Sequence, residues 1–576
     1  MRQEIRSSLA AAGRWVRTVG PERAHLRADI VAGLPRAISS VPDGMAAAVL
    51  AGVNPVQGLY AGFAGPIAGG LSSHTRLMVI TTTSAAALAA GSALAGVPPD
   101  QRPGAIALLV ILAGAALVAA GLARLGRYTR FVSYSVMTGF LTGISVNIVC
   151  GQIASLTGAP AQGSFPLARA VDVLSHPSRI NLASLLTGLG ALAILALLAR
   201  TRLAVVSSLF ALVIPTVVIV LVGAESVARV GDAGGIPAGV PLPHLPDFRL
   251  FSFSLVTGAL AVAAIVLVQG AGVAEAAPNP GEARPNPDQD IIAQGVGNLA
   301  SGLFRGIPVG GSVGQTALNV SVGARTRWAA IWSGIWLLVI LVLFSGLVAK
   351  IAVPTLGAIL IFAAIGSFQP REIASILRTG RGSQIAVITT FAATLFLPVA
   401  AAVGIGVALS LLLQLNQEAM DLTVVELIPL EDGRFEERPS PPTLTSHHVT
   451  TLDVYGSLMY AGARTLQAHL PDPGGTQSPA VVLRLRRRTS LGATFIKVVG
   501  DYADRLAAVG GRLYLSGLDP SLSDRLRRTG HLDGPVRTFE ATPVVGESTR
   551  AASLDAEAWL VTRHDGRDEP APGERS

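Results

Sequence analysis

Two polar stretches, rich in glycine and hydroxyl groups, interrupt otherwise apolar parts of the chain. The first is "RLMVITTTSAAALAAGSAL" (Arg76–Leu94), in which three threonines and a serine precede a run of small residues. The second is "GLFRGIPVGGSVGQTALN" (Gly302–Asn319), which holds five glycines and a proline. Threonine and serine are good helix N-caps, and their hydroxyl groups can donate to an anion. Each stretch therefore predicts a break in the chain followed by a short helix.

The start of such a helix has chemistry of its own. Its first N–H groups lack backbone partners and carry the positive end of the helix dipole, so they attract anions. The two stretches lie about 230 residues apart, and each is the third hydrophobic element of its half of the chain. Interrupted segments in matching positions of two halves indicate a transporter site. The alternative is that these small residues only pack helices together; the matching positions favour the site.

The composition places both stretches in a membrane protein. Half of the 576 residues are apolar, the mean hydropathy is +0.54 and only 14% of residues are charged. A soluble chain of this length needs more charge to cover its surface. Apolar runs of spanning length recur, such as Ala105–Leu122 and Leu209–Gly223. We predict a polytopic α-helical membrane protein with about fourteen hydrophobic elements between Asp29 and Leu415.

Arginine predicts the orientation. The N-terminal segment is rich in arginine, and the connections expected on its side of the membrane hold more arginine than the alternate connections. The positive-inside rule then puts both termini in the cytosol, with the protein in the cytoplasmic membrane. This account also explains the net charge of +8 without nucleic acid, which we do not expect as a partner.

The character of the chain changes after about residue 416. Strand-like runs at Val449–Gly456 and Ala480–Arg486, with a helix-like run at Thr494–Gly510, indicate a small α/β domain. We predict a cytosolic N-terminal segment over 1–28, a transmembrane transporter domain over 29–418 and a linker over 419–445. The α/β domain then covers 446–545, and a polar, disordered tail covers 546–576.

Two segments resemble the SulP family of anion transporters, whose animal members include prestin and pendrin. They are "DIVAGLPRAISSVPDGMAAAVLAGVNPVQGLYAGFAGPIAGGL" (Asp29–Leu71) and "DQDIIAQGVGNLASGLFRGIPVGGSVGQTALN" (Asp288–Asn319). The resemblance covers nearly the whole chain, because family members also end in a cytosolic STAS domain. It implies a seven-plus-seven inverted repeat with core and gate domains, a homodimer in membrane lipid, and an elevator-like movement of the core.

The resemblance also implies an anion held between the N-termini of elements three and ten. The implied pocket residues lie on elements one, three, eight and ten. They are Asp43, Ala47, Thr81, Thr82, Thr83, Gln269, Ser312, Val313, Gly314 and Gln315.

The chain departs from the family pattern at four of these positions. Thr81, with Ile80 before it, stands where many members have Gly-Pro. Gln269 stands where many members have a carboxylate that can carry a coupled cation, and Gln315 stands where many have an arginine. Asp43 stands where the family usually has glutamine, and a carboxylate inside a span marks a functional site. Our hypothesis is that Asp43 carries the coupled proton that Gln269 cannot carry; the alternative is that Asp43 caps a helix beside Pro42.

Several functions are disfavoured. Cys150 is the only cysteine, so an intrachain disulfide is impossible and a cysteine-based metal cluster is not expected. There is no Walker loop, and no catalytic constellation stands out, so we expect neither an enzyme nor a cofactor. The predicted function is secondary active transport of a small anion, namely sulfate, bicarbonate, chloride or a dicarboxylate, by elevator-type alternating access. The alternatives are a nucleobase carrier of the same architecture and an anion sensor with little flux.

Overall fold

The structure is a computed structural model of the full chain. The residues that it describes are 20–127, 133–163, 165–201, 203–233, 241–279, 286–430, 434–456, 458, 461–486, 492–520, 522–524 and 536–564. The first nineteen residues of the predicted N-terminal segment therefore lie outside the described residues. The chain divides into two compact units, Met1–Leu411 and Leu412–Ser576.

The described part of the first unit is helical apart from two short strands, and the order of its elements repeats once. The first half contains α1 Leu26–Leu50, α2 Pro55–Ser72, β1 Ile80–Thr82, α3 Ser84–Ala93, α4 Arg102–Leu122, α5 Tyr134–Thr157, α6 Pro166–Ser175, α7 Leu182–Leu198 and α8 Ser207–Val222. The second half contains α9 Phe253–Ala276, α10 Pro287–Leu303, β2 Val309–Gly311, α11 Val313–Ser321, α12 Trp328–Val348, α13 Val353–Gly366, α14 Pro370–Thr379, α15 Arg381–Phe396 and α16 Val399–Met420.

The two halves correspond element by element. In each half a strand and a short helix follow two helices, and a ten-residue helix with a proline at its start follows two further helices. Without α6 and α14, each half supplies seven elements, as the seven-plus-seven repeat requires. Among the described residues, six helical segments are long and apolar enough to span a membrane, including α4 and α12, and α3, α7 and α8 are shorter apolar helices. The predicted polytopic α-helical membrane fold is confirmed.

The two strands pair with each other across the repeat. β1 and β2 are antiparallel, with Ile80 opposite Gly311 and Thr82 opposite Val309. The backbone N–H of Ser312 donates to Val79 O at 2.9 Å and extends this ladder. Because the strands run in opposite directions, α3 and α11 leave the pair at opposite ends. The broken helices thus satisfy part of their freed backbone by pairing with each other.

Buried amide side chains complete the backbone pairing of β2. Asn298 of α10 donates to Val309 O at 2.7 Å and accepts from Val309 N at 3.1 Å. Gln294, one turn earlier, accepts from Gly311 N at 3.0 Å. Both side chains are fully buried. The strand pair is therefore held to α10 by specific hydrogen bonds as well as by packing.

Glycine permits close helix packing beside the strands. A Cβ atom on Gly58 of α2 would lie 1.8 Å from the carbonyl oxygen of Gly44 on α1. A Cβ atom on Gly270 of α9 would lie 2.0 Å from Gln294 Oε1. These helices can approach so closely only because neither position carries a side chain.

The second unit contains a six-stranded sheet of order β4-β3-β5-β6-β7-β8. Its strands are β3 Thr423–Pro429, β4 Phe435–Pro439, β5 Val449–Tyr455, β6 Ala480–Arg484, β7 Arg512–Leu518 and β8 Val536–Glu540, and its helices are α17 Ala461–His469, α18 Ala493–Ala508 and α19 Glu547–His564. Strands β5 to β8 are parallel, and α18 packs its apolar face on the sheet in one buried cluster. This is the small α/β domain expected from the sequence, and its sheet is compatible with a STAS domain.

Two of the expected boundaries are wrong. The interval 419–445 is not only a linker, because β3 and β4 lie within it and β3 pairs with β5. The interval 546–576 is not wholly disordered, because Glu547–His564 forms a helix. Ala552 and Ala556 of this helix are fully buried in a cluster with Ala480, Val482 and Tyr514 of the sheet. Helix α19 therefore packs on the sheet in a buried cluster separate from that of α18. Residues 565–576 of the expected tail lie outside the described part of the chain.

Candidate functional site

The two expected helix starts lie directly after the paired strands. Thr83 is the N-cap of α3, and its hydroxyl accepts from Ala86 N at 3.4 Å. Ser312 is the N-cap of α11, and its hydroxyl accepts from Gln315 N at 3.4 Å. Both helices thus begin inside the helical unit, where their N–H groups and positive dipole ends can act on an anion.

The first turn of α11 presents an open side and a buried side. Val313 is 63% exposed and Gly314 is exposed, so protein does not cover the backbone at these positions. Gln315 is 7% exposed and points toward α1. The start of α11 therefore combines accessible N–H groups with a side chain that is fixed on the neighbouring helix.

Asp43 and Gln315 form the central polar contact between α1 and α11. The Nε2 atom of Gln315 donates to Asp43 Oδ2 at 2.8 Å and lies 3.4 Å from Ser39 Oγ. Asp43 is partly buried. The Oε1 atom of Gln315 is buried and has no hydrogen-bond partner among the described residues. The contact places a carboxyl group at the positive end of α11, where an anion would also be attracted.

The alternative role of Asp43 as a helix cap does not fit the structure. Helix α1 runs without a break from Leu26 to Leu50 and includes Pro42. Asp43 is thus in the helix interior, more than a turn from either end. Its carboxylate is bound across the helix interface and not to the backbone of its own helix.

The remaining residues of elements one and three differ in accessibility. Thr81 and Thr82 belong to β1, and Thr81 is 2% exposed with a hydroxyl that has no partner among the described residues. Thr82 is partly exposed. Ala47 is buried in the apolar core one turn beyond Asp43, so its role there is packing.

Gln269 lies away from the contact between Asp43 and Gln315. It lines an apolar cavity of about 40 Å³ together with residues of α5, α15 and α16, among them Phe140 and Thr390. Its neighbour Gly270 packs on Gly311 of β2. The Oε1 atom of Gln269 has no partner among the described residues. Gln269 therefore faces a cavity next to the strand pair, and the structure shows no contact between it and Asp43.

Two buried carboxylates anchor the loops beside the site. Asp290 accepts from Ser73 Oγ, His74 N, Thr75 N and Thr75 Oγ1, at distances from 2.6 to 3.1 Å. It thereby fixes the loop that leads into β1. Asp29 accepts in the same way from Arg325 N, Thr326 N and Thr326 Oγ1, and fixes the loop that follows α11. Asp290 and Asp29 thus fix the chain just before β1 and just after α11.

Sequence reasoning missed four residues that shape the site. Gln294 and Asn298 bind the backbone of β2, and Arg36 and Asn319 bind each other across α1 and α11 at 3.3 Å. The spacing of the two amides by four residues in the otherwise apolar stretch Ile291–Ala300 was a usable signal, because such residues share one face. Arg36 gave a weaker signal, since arginines near span ends usually set orientation.

The chain also resembles known proteins over much of its length. Residues 26–392 match the family model described as the sulfate permease family. A Mycobacterium tuberculosis protein named as a probable sulfate transporter is 29% identical over 544 residues, covering 92% of this chain and 96% of that protein. The bicarbonate transporter BicA of a Picosynechococcus species is 26% identical over 345 residues, covering 58% of this chain and 60% of that protein.

A solved structure extends the likeness over nearly the whole chain. The murine Slc26a9 anion transporter, solved in an inward-facing state, superposes with a TM-score of 0.78 at 18% identity. The match covers 95% of this chain and 93% of that one, so both units take part in it. At this identity the likeness supports the fold.

Proposed function

Since the chain belongs to the sulfate permease family of anion transporters, we propose that it moves a small anion across the cytoplasmic membrane by secondary active transport. The observation that carries the proposal is the strand pair β1–β2, which leads into two helix starts capped by Thr83 and Ser312. Helix starts bind anions through N–H groups and the dipole, without a formal positive charge. This suits a chain with Gln315 where many relatives have arginine.

Asp43 couples the anion to a proton. When ionised, it places a negative charge beside the start of α11, as the 2.8 Å contact with Gln315 shows. Two like charges about 4 Å apart repel by about 4 kcal/mol at an effective dielectric constant of about 20. An anion therefore binds when Asp43 is protonated, and proton and anion travel together. Gln269 cannot take this role, because an amide does not titrate.

The movement we propose is that of an elevator within a homodimer. The helices around the strand pair, α1 to α4 and α9 to α12, carry the site and shift against α5 to α8 and α13 to α16. The apolar cavity at Gln269 lies between α9 of the first group and α5, α15 and α16 of the second. Both termini are cytosolic, and lipid surrounds the dimer.

Two other functions remain as outcomes of the test. An anion sensor would bind the same ligand with little flux, and a nucleobase carrier would bind uracil in place of an anion. Neither has a specific observation in its favour, because the helix starts suit an anion and the family is one of anion transporters.

The test is uptake of labelled sulfate and labelled bicarbonate into proteoliposomes that contain the purified full-length protein. Uptake is measured with an inward proton gradient and with none, and is competed by chloride, succinate and uracil. We expect gradient-stimulated uptake of one anion. Binding without flux would replace transport by sensing, and competition by uracil alone would replace the anion by a nucleobase.

A further inference from the structure

Arg36 is a buried charge that the described residues leave largely unpaired. It lies on α1 with 0% of its surface exposed. Its Nη1 atom donates to Asn319 Oδ1 at 3.3 Å, whereas Nε and Nη2 have no hydrogen-bond partner. Arginine is effectively always charged, and a buried charge without a partner is strongly unfavourable.

Within the described residues, no carboxylate compensates Arg36. The buried Asp29 and Asp290 accept from backbone N–H and hydroxyl groups of their own loops. Asp43, on the same face of α1, is seven residues away, or about 10 Å along the helix axis. Its bonded oxygen accepts from Gln315. The charge of Arg36 is therefore available to a ligand.

The free part of the guanidinium group has the geometry of an oxyanion receptor. Nε and Nη2 share one edge of the planar group, and their N–H bonds are parallel. Such an edge binds two oxygens of a carboxylate, carbonate or sulfate group at once. Asn319 holds the opposite side, and its own Nδ2 is fixed by Leu77 O at 3.1 Å. The donor edge is thus held in place before any ligand arrives.

A line of polar side chains joins this edge to the helix start. Ser39, Ser40 and Asp43 follow Arg36 at intervals of three, four and seven residues, so the four share one face of α1. The partners on α11 are Gln315 beside Asp43 and Asn319 beside Arg36. Since Gln315 and Asn319 are also one turn apart, two matched polar faces run along the interface.

We propose that the Nε–Nη2 edge of Arg36 is a second subsite for the transported anion, about 10 Å along α1 from Asp43. The proposal rests on the proposed function and names its substrate class, an oxyanion such as bicarbonate or sulfate. Chloride gains less from the paired donors, because a single atom must accept both hydrogen bonds and neither of them can be straight. Solvent does not reach the edge in this conformation, so the anion enters along Ser39 and Ser40 by a local separation of α1 and α11 within the moving group.

The first test is calorimetric binding of sulfate, bicarbonate and chloride to the purified full-length protein. Arg36→Lys keeps the charge and removes the paired donors, and Arg102→Lys is the matched control, because Arg102 Nε donates only to the backbone oxygen of Val97. In Arg36→Lys we expect oxyanion binding to weaken at least about tenfold and chloride binding to change by less than about threefold. The control should bind all three anions like the wild type. An unchanged ratio of oxyanion to chloride affinity in Arg36→Lys overturns the proposal.

A second variant covers the case in which Arg36→Lys does not fold. Arg36→Met removes the unpaired charge, so without sulfate it should unfold at a temperature no lower than the wild type. In Arg36→Met, sulfate should also cause much less of the increase in unfolding temperature that it causes in the wild type. A lower unfolding temperature in both conditions, with the sulfate effect intact, would make Arg36 a purely structural residue.

These outcomes are separable from those of the proposed function. If Asp43→Asn keeps proton-stimulated uptake, the proposed role of Asp43 in proton coupling is refuted. The change in anion selectivity in Arg36→Lys still tests the second subsite independently. If the wild-type protein binds none of the three anions, both proposals are overturned.

Discussion

Replacement of Asp290 by asparagine should loosen the loop that leads into β1. The carboxylate of Asp290 accepts four hydrogen bonds from Ser73, His74 and Thr75, and its side chain is buried. A hydrogen bond to a charged group contributes about 1.5–3 kcal/mol, and a neutral one about 0.5–1.5 kcal/mol. The loss is therefore about 1 kcal/mol for each bond, or about 4 kcal/mol for the four.

Asp288→Asn is the matched control in the same helical turn. Asp288 is only partly buried, and its Oδ1 accepts from Gly126 N at 2.8 Å. The same reasoning gives a loss of about 1 kcal/mol. Stability is assayed by heating the full-length protein in detergent and measuring by gel filtration the fraction that stays folded. Anion affinity is measured separately for each variant. Asp290→Asn should unfold at a lower temperature than Asp288→Asn. It should also bind anions more weakly, because Thr81 to Thr83 follow the loosened loop. Equal stability of the two variants would refute the reasoning.

Three further substitutions test the interface, the close packing and the C-terminal helix. Gln315→Glu should weaken anion binding at neutral pH, because its charge repels the anion at the start of α11. The control Gln417→Glu, at the far end of α16, should leave the affinity measured by calorimetry unchanged. Equal affinities of the two variants would remove Gln315 from the site. Gly58→Ala should destabilise the protein by more than the ~1–3 kcal/mol usual for overpacking, because the new Cβ would lie 1.8 Å from Gly44 O. At Gly190 an added Cβ would meet no atom of a non-neighbouring described residue within 4 Å, so Gly190→Ala should be neutral or stabilising in the same thermal assay. Equal effects of the two substitutions would contradict the close packing. Ala552→Glu should destabilise the second unit because the residue is fully buried, whereas the exposed Ala551→Glu should not; limited proteolysis would show no difference if α19 were undocked.

The helix starts could be predicted because their signals are local. Thr83 and Ser312 cap their helices through hydroxyl groups that the sequence displays next to small residues. The strands could not be predicted in the same way. β1 has three residues, and its partner lies about 230 residues away, so neither strand has a pattern of its own. Their pairing depends on contacts that only the folded repeat supplies.

The C-terminal errors have similar causes. β4 reads "FEERP" and is exposed at every position, so it lacks the alternation of a half-buried strand and looks like linker. Helix α19 buries small alanines, and Trp559 packs under the guanidinium groups of Arg512 and Arg563. Alanine and charged residues indicate a polar tail when their partners on the sheet are unknown.

The contact of Asp43 shows what a single sequence leaves open. The presence of a carboxylate within a span predicted a functional residue, but a cap and a pocket position could not be separated. The structure excludes the cap, because α1 continues past Asp43, and it shows that the carboxylate accepts from Gln315 of a distant segment. Arg36 could not be singled out, since its burial depends on how α11 packs on α1.

The most direct test of the central claim compares wild-type protein with Asp43→Asn in proteoliposomes, with labelled sulfate and bicarbonate and a series of inward proton gradients. If Asp43 carries the coupled proton, the gradient should stimulate uptake by the wild type and have no effect on uptake by the variant. Residual sulfate uptake by Asp43→Asn should be independent of pH, because the amide is neutral throughout and no longer repels the anion. Gradient stimulation of the same size in both proteins would contradict the account.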